Sequence, residues 1–229
     1  MHFHLPKPLH GWREFIGEIG VIVAGVLIAL ALEQAVELLH WRNETEAARE
    51  AIKSETAQNL GAAVFRQRQD ECLHRRLDEV ALIFERHANG KPFTLRARIG
   101  GPVYFGAVQS AWQVDVASQA LAHMTLNERL KFSAAYDQFA SLDRTLLQEQ
   151  DAWRRLDVLD NPAVLKEDDW PALHQAYSEA RSLDIRLGLI TTFALSRDNL
   201  GEEPDTISTP PLVRSELEEF CSPIARTGT

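Results

Sequence analysis

The chain has 229 residues, 45% of them hydrophobic and 25% charged, with a formal net charge of −9. That composition belongs to a globular protein long enough to bury one sizeable core, and it excludes a disordered chain. With 24 Lys and Arg against 33 Asp and Glu and no basic stripe, it also excludes the phosphate neutralisation on which nucleic-acid binding rests.

Residues 1–14 read as a short N-terminal tail in which His2 and His4 stand too near the terminus to make a ligand framework. From Ile19 to Leu32 the sequence runs IGVIVAGVLIALAL without a charge. A bilayer core takes about 20 residues of helix. Phe15, Ile16 and Gly17 extend the run on one side, and Ala35, Val36, Leu38 and Leu39 on the other. The expectation is a transmembrane helix over residues 15–39 that meets the lipid bilayer. Trp12 and Trp41 bracket it; at helical rise they lie about 43 Å apart, the bilayer thickness with headgroups. Two other readings stay open: a signal peptide cleaved near Ala29-Leu30-Ala31, and a helix buried in a core. An interfacial helix is disfavoured because the run is apolar all round.

Glu18 lies about 9 Å along the helix from Trp12, close enough to the headgroups for its carboxylate to reach water. Gly17, Gly20, Ala24 and Ala31 share one face, a pattern that lets two anchors approach closely and points to a homo-oligomer. Sidedness is set only weakly: Lys7 and Arg13 before the span balance Arg42 and Arg49 after it. The N-terminal amine tips the short tail toward the cytoplasm and the large domain to the non-cytoplasmic side.

Residues 40–201 are expected to form the domain, an all-α antiparallel helical bundle into which the anchor extends as a long helix. Trp41, Thr45, Ala48 and Ile52 recur at intervals of 4, 3 and 4, one helical face, with Gly61 marking a bend; Leu73, Leu77, Val80 and Phe84 repeat the pattern. Asn89-Gly90 and then Pro92 stop that helix. Lys91 to Gly106 reads as an ordered connection or at most a short hairpin, and Ala107 to His123 as a helix. Thr125 and Glu128 have the form of a capping box. Phe132, Ala135, Phe139, Leu142, Leu146, Glu149, Trp153 and Leu156 then alternate at 3 and 4. After a break at Asp160-Asn161-Pro162, Asp168 or Asp169 caps a last helix with Pro171 in its first turn. Leu173, Ala176, Ala180, Leu183, Leu187, Ile190 and Ala194 make its seam, and Gly201 closes it. Two such seams pack side by side. Residues 202–229 are an irregular tail in which Leu212 to Phe220 can form a short helix.

No pattern in the chain carries chemistry. It has no Gly-x-Ser-x-Gly, no Walker loop and no His-Glu-x-x-His. Cys72 and His74 are two apart and point to different sides of a helix. Glu71 and Asp78 read as solvated charges balancing Arg75 and Arg76. A di-metal carboxylate bundle needs Glu-x-x-His twice, and Glu71-Cys72-Leu73-His74 is the single instance. Glu149 is read as snorkelling at the bundle edge or pairing with an arginine. Asn43-Glu44-Thr45 has the glycosylation form, which arises often by chance. Cys72 and Cys221 are too few for a disulfide framework; they could pair in an oxidising compartment, but with Cys221 in the irregular tail nothing brings them together and two unpaired thiols are the favoured expectation. Accordingly no catalytic, cofactor-binding or metal residue is assigned, no cofactor is expected, and the chain is read as no enzyme.

Gly17-Glu18-Ile19, followed by Gly25-Val26-Leu27-Ile28-Ala29-Leu30 and Trp41, resembles the opening of an uncharacterised bacterial family. Its members are short single-pass proteins with a Gly-Glu-Ile … Gly-Val-Leu-Ile-Ala-Leu span and a helical domain of unknown function. The resemblance covers the first quarter of the chain and implies an anchor, no activity and no site residues. The combined expectation is a bacterial inner-membrane protein acting without catalysis in sensing, scaffolding or envelope association, toward a protein partner the sequence does not identify. A helical-bundle enzyme with an unrecognised site and a secreted bundle released by signal cleavage are the alternatives.

Overall fold

A computed structural model of the protein describes residues 11–196 and 201–224. The histidines and lysine of the tail (His2, His4, Lys7) therefore lie outside the described residues. Six α-helices are present among them: α1 (Trp12–Gln67), α2 (Asp70–Ala88), α3 (Ser110–Ser118), α4 (Leu126–Leu156), α5 (Trp170–Ser196) and α6 (Pro211–Cys221), joined by loops and short 3-10 turns. The fold is an all-α bundle headed by a long apolar helix.

α1 is 56 residues long and has two halves of different character. From Trp12 to His40 every residue is exposed, including Val21, Ile22, Ile28, Leu32 and Leu38. This stretch is long and apolar enough to cross a membrane, and none of its most apolar window is buried. From Thr45 on, the same helix turns one face into the domain and buries Ala48, Ile52, Leu60 and Ala63. No break separates the halves. Gly61, expected to bend the helix, lies within unbroken helix. A Cβ there would stand 2.4 Å from the backbone oxygen of Asp205, where the tail crosses α1 and the Asp205 amide donates to the Ala57 carbonyl at 2.9 Å. Close approach, and not curvature, is what the glycine provides.

α4 and α5 form the most extensive helix pair, flanked by α1 on one half and α2 on the other. Three apolar clusters stack along the bundle. The one nearest the exposed half of α1 joins Ala48 and Ile52 to Met124, Phe132, Tyr136 and Phe139. Ala63, Leu142, Leu146 and Leu187 make the middle. The far end packs Leu73, Leu77 and Val80 of α2 against Trp153, Leu156, Leu173 and Ala180, with Phe220 of α6 over them. The seams expected on α4 and α5 supply half of these residues.

α4 starts as its sequence dictates: the Thr125 side chain accepts the Glu128 amide while Glu128 accepts the Thr125 amide, a closed capping box. Asp169 accepts the Lys166 amide at 2.8 Å and closes the 3-10 turn that leads into α5, with Pro171 in its first turn. The expected helix from Ala107 to His123 is shorter. The Val108 carbonyl, which a longer helix would pair with Trp112 N, accepts Asn59 Nδ2 at 2.8 Å, and the Ala111 and Trp112 amides go to Glu55, so the helix begins at Ser110. Gln119 then takes a left-handed conformation, φ 67°, and Ala120–His123 follows as a 3-10 turn. Lys91 to Gly106 is an ordered connection, pinned where Gln69 both donates to the Val103 carbonyl and accepts its amide.

Candidate functional site

Polar side chains interrupt the apolar stack at one level. Arg66 of α1, Glu149 of α4 and Asp184 of α5 are all buried there, one helical turn beyond Ala63, Leu146 and Leu187. Arg66 Nε donates to Glu149 Oε2 at 3.0 Å and Nη2 to Oε1 at 2.7 Å, a two-point pair. Nη2 also reaches Asp184 Oδ1 at 3.1 Å, and Nη1 reaches Asp70 at 2.5 Å. The exposed His74 closes the cluster, its Nε2 3.0 Å from Asp184 Oδ2. Burial opposes the Arg66 charge, but Glu149 and Asp184 more than offset it and hold the guanidinium above its ordinary value. Glu149 therefore pairs with an arginine, in the interior and not at the edge. Arg66 thus fastens α1 to α4, α5 and the start of α2.

A second knot lies closer to the exposed half of α1. Glu55 accepts the Tyr136 hydroxyl at 2.6 Å, the Ser110 hydroxyl at 2.9 Å and the Ala111 amide at 3.1 Å, with Trp112 N at 3.3 Å. Its carboxylate caps α3, where the helix dipole favours a negative charge. Burial pushes Glu55 up, yet these donors outweigh it and hold the group below the ordinary glutamate range. Burial and Glu55 itself push neighbouring Asp115 upward.

The far end is closed by the C-terminal segment. Cys72 of α2 and Cys221 of α6 form a disulfide, with Cα atoms 4.8 Å apart, which overturns the expectation of two unpaired thiols. The tail is not loose: α6 lies against α2, and ordered packing brings the sulfurs together across 149 residues of chain. Arg76, expected among solvated charges, is also a correction. It is buried, and its guanidinium donates to the carbonyls of Phe220 at 2.6 Å and Ser222 at 2.9 Å, and to those of Arg98 and Ile99. One cation thus ties the 91–106 connection and the tail to α2. Glu71 does pair with Arg75, at 3.1 Å, and Asp78 is exposed.

A cleft of about 400 Å³ opens beside this strap, lined by Arg98, Gly101, Pro102, Trp153, Arg154 and Phe220 among others. Trp153 Nε1 and Asp157 Oδ1 are buried near it without a hydrogen-bond partner. Burial and Asp160 push Asp157 upward. Tyr104, also on its wall, donates its hydroxyl to Asp143. Among the described residues no group of three His, Cys, Asp or Glu could hold a metal ion. Gly17 and Gly20 have open space where a Cβ would stand, and Ala24 is exposed.

Arg66, Glu55, Asp184 and Arg76 carry these connections; the sequence reading passed over the first three and took Arg76 for a solvated charge. A signal existed: Glu55, Asn59 and Arg66 continue the spacing of Trp41, Thr45, Ala48 and Ile52 along one face. No family model, no curated protein and no solved structure matches the chain.

Proposed function

We propose that the chain is a single-pass protein of a bacterial inner membrane, anchored through residues 15–39, with its helical domain on the non-cytoplasmic side. Its role is to hold that domain rigidly at the membrane for sensing, scaffolding or envelope association, without catalysis, toward a protein partner. The observation that carries this reading is the continuity of α1, bare and apolar up to His40 and built into the domain core from Thr45 onward. A flexible tether would let the domain wander, whereas a helix clamped by Glu55 and Arg66 fixes its height and tilt.

Sidedness is supported by the disulfide. Cys72–Cys221 is the kind of bond that persists in an oxidising compartment and is reduced in the cytosol. The small-residue face of Gly17, Gly20 and Ala24 is where a second copy would sit in the bilayer. The test is fractionation of cells making the full chain. The expected result is an unprocessed polypeptide that stays with membranes through alkaline carbonate and whose cysteines resist alkylation until reduced. Full-length protein in the aqueous fraction would remove the anchor, and freely alkylated cysteines would reverse the orientation.

A further inference from the structure

Trp41 is the first described residue that is half-buried, and a ring from elsewhere in the fold lies on it. The His123 imidazole stacks on the indole with centroids 3.8 Å apart and planes 14° apart. His123 ends the 3-10 turn Ala120–His123, which packs along α1. The start of α4 is held beside it by Glu128, whose Oε1 accepts from Arg49 Nε at 3.0 Å. The domain therefore begins where the bare apolar helix ends, with no stalk between them.

The segment that makes this turn has an unusual composition. A quarter of the chain is charged, yet from Ser110 to Asn127 Asp115 is the sole Asp, Glu, Lys or Arg, and it is buried. From Val116 to Asn127 there is none. The exposed side chains there include Val116, Ala122, His123 and Leu126, with Leu126 63% exposed.

We infer that this turn is a foot that rests on the lipid surface, with Ala122, His123 and Leu126 against the headgroup layer of the leaflet into which α1 passes. The inference rests on the anchor reading. The midpoint between Trp12 and Trp41 lies about 22 Å from each, half the bilayer thickness with headgroups, so His123 stands at the outer edge of that layer. An uncharged, partly apolar face is cheap to strip of water and is not repelled by anionic lipid, as the acidic remainder of the domain is. The helix that holds the face there removes the cost of bringing it to the membrane.

The full-length protein, disulfide intact, is placed in nanodiscs of phosphatidylcholine and phosphatidylglycerol with a nitroxide at one of four positions. Ala122→Cys and Leu126→Cys report the foot, Val23→Cys the span, and Val164→Cys the far end of the domain. The expected result is a loss of collision with an aqueous nickel chelate at both foot positions relative to Val164→Cys, with oxygen collision highest at Val23→Cys. Foot labels as accessible to nickel as Val164→Cys, while Val23→Cys remains in lipid, would overturn the foot and leave the anchor standing. A Val23→Cys label open to nickel would overturn both.

Discussion

Arg66 and Glu149 face each other across the middle of the bundle, both almost wholly buried and joined by two parallel N–H···O bonds of 3.0 and 2.7 Å. Removing Glu149 takes the two-point partner from a buried cation and leaves it only Asp184 and Asp70, at a cost of up to about 3–5 kcal/mol. Glu149→Ala is expected to lower the thermal midpoint of the detergent-solubilised protein sharply, as followed by circular dichroism. Replacing both, as Arg66→Met with Glu149→Leu, is expected to recover part of that loss, because the paired charges leave together and Asp184 keeps His74 at 3.0 Å. A double variant as unstable as the single one would mean that Asp70 and Asp184 depend on Arg66 as much as Glu149 does.

The arrangement of helices was legible because each seam repeats at 3 and 4 and because Thr125, Glu128 and Asn89-Gly90 mark ends locally. What stayed hidden was set by contacts distant in sequence. Arg66 and Glu149 are 83 residues apart, Arg76 and Phe220 are 144 apart, and no local rule brings them together. Polarity misled at Arg76, since a charged residue is normally solvated. Its place on the buried face with Leu73, Leu77 and Val80 was the better guide. Asp184 taught the same lesson on α5, buried between the half-buried Leu183 and the buried Leu187. The length of α3 was misjudged because Asn59 and Glu55 of α1 take the Val108 carbonyl and the Ala111 and Trp112 amides that would have closed its expected first turn.

Cys72–Cys221 closes most of the folded domain into one covalent loop. Such a constraint contributes about 2–5 kcal/mol, chiefly by restricting the unfolded chain. Cys221→Ser, or reductant added to the native protein, is expected to lower the thermal midpoint and to make α6 the first site of proteolytic cutting. Arg76 still holds the Phe220 and Ser222 carbonyls in that state, so the rest of the bundle should remain folded. Loss of all helical signal on reduction would show that α6 is integral to the bundle and not a strap on it.

Gly61 is where α1 and the returning tail come closest. A methyl group at this position would stand 2.4 Å from the Asp205 carbonyl oxygen, and backbone cannot rotate away as a side chain can. Although alanine is the better helix former by about 1 kcal/mol, Gly61→Ala is expected to destabilise by about 1–3 kcal/mol through overpacking. Urea unfolding of the detergent-solubilised chain measures it. A stabilised variant would mean that the tail leaves α1 readily, and that its ordered path over Ala57 contributes little.

Glu55 gives the fold an acid limb of known sign. Its carboxyl is held below the ordinary glutamate value in the folded state by donors that the unfolded chain lacks. The unfolded chain therefore takes up this proton first as pH falls, and the stability the group contributes is present above the ordinary glutamate value and is lost below it. Burial pushes Asp115 and Asp157 the opposite way, so total stability mixes both signs and the comparison must be made by difference. Glu55→Gln is expected to be less stable than the native chain at neutral pH, by about 1–3 kcal/mol for a charge-assisted set of hydrogen bonds. That gap should narrow as pH drops through the acid range, because the native carboxylate is then protonated as well. Paired denaturant titrations at several pH values read this out. A gap that stays constant with pH would show that the α3 cap works through shape and not through charge.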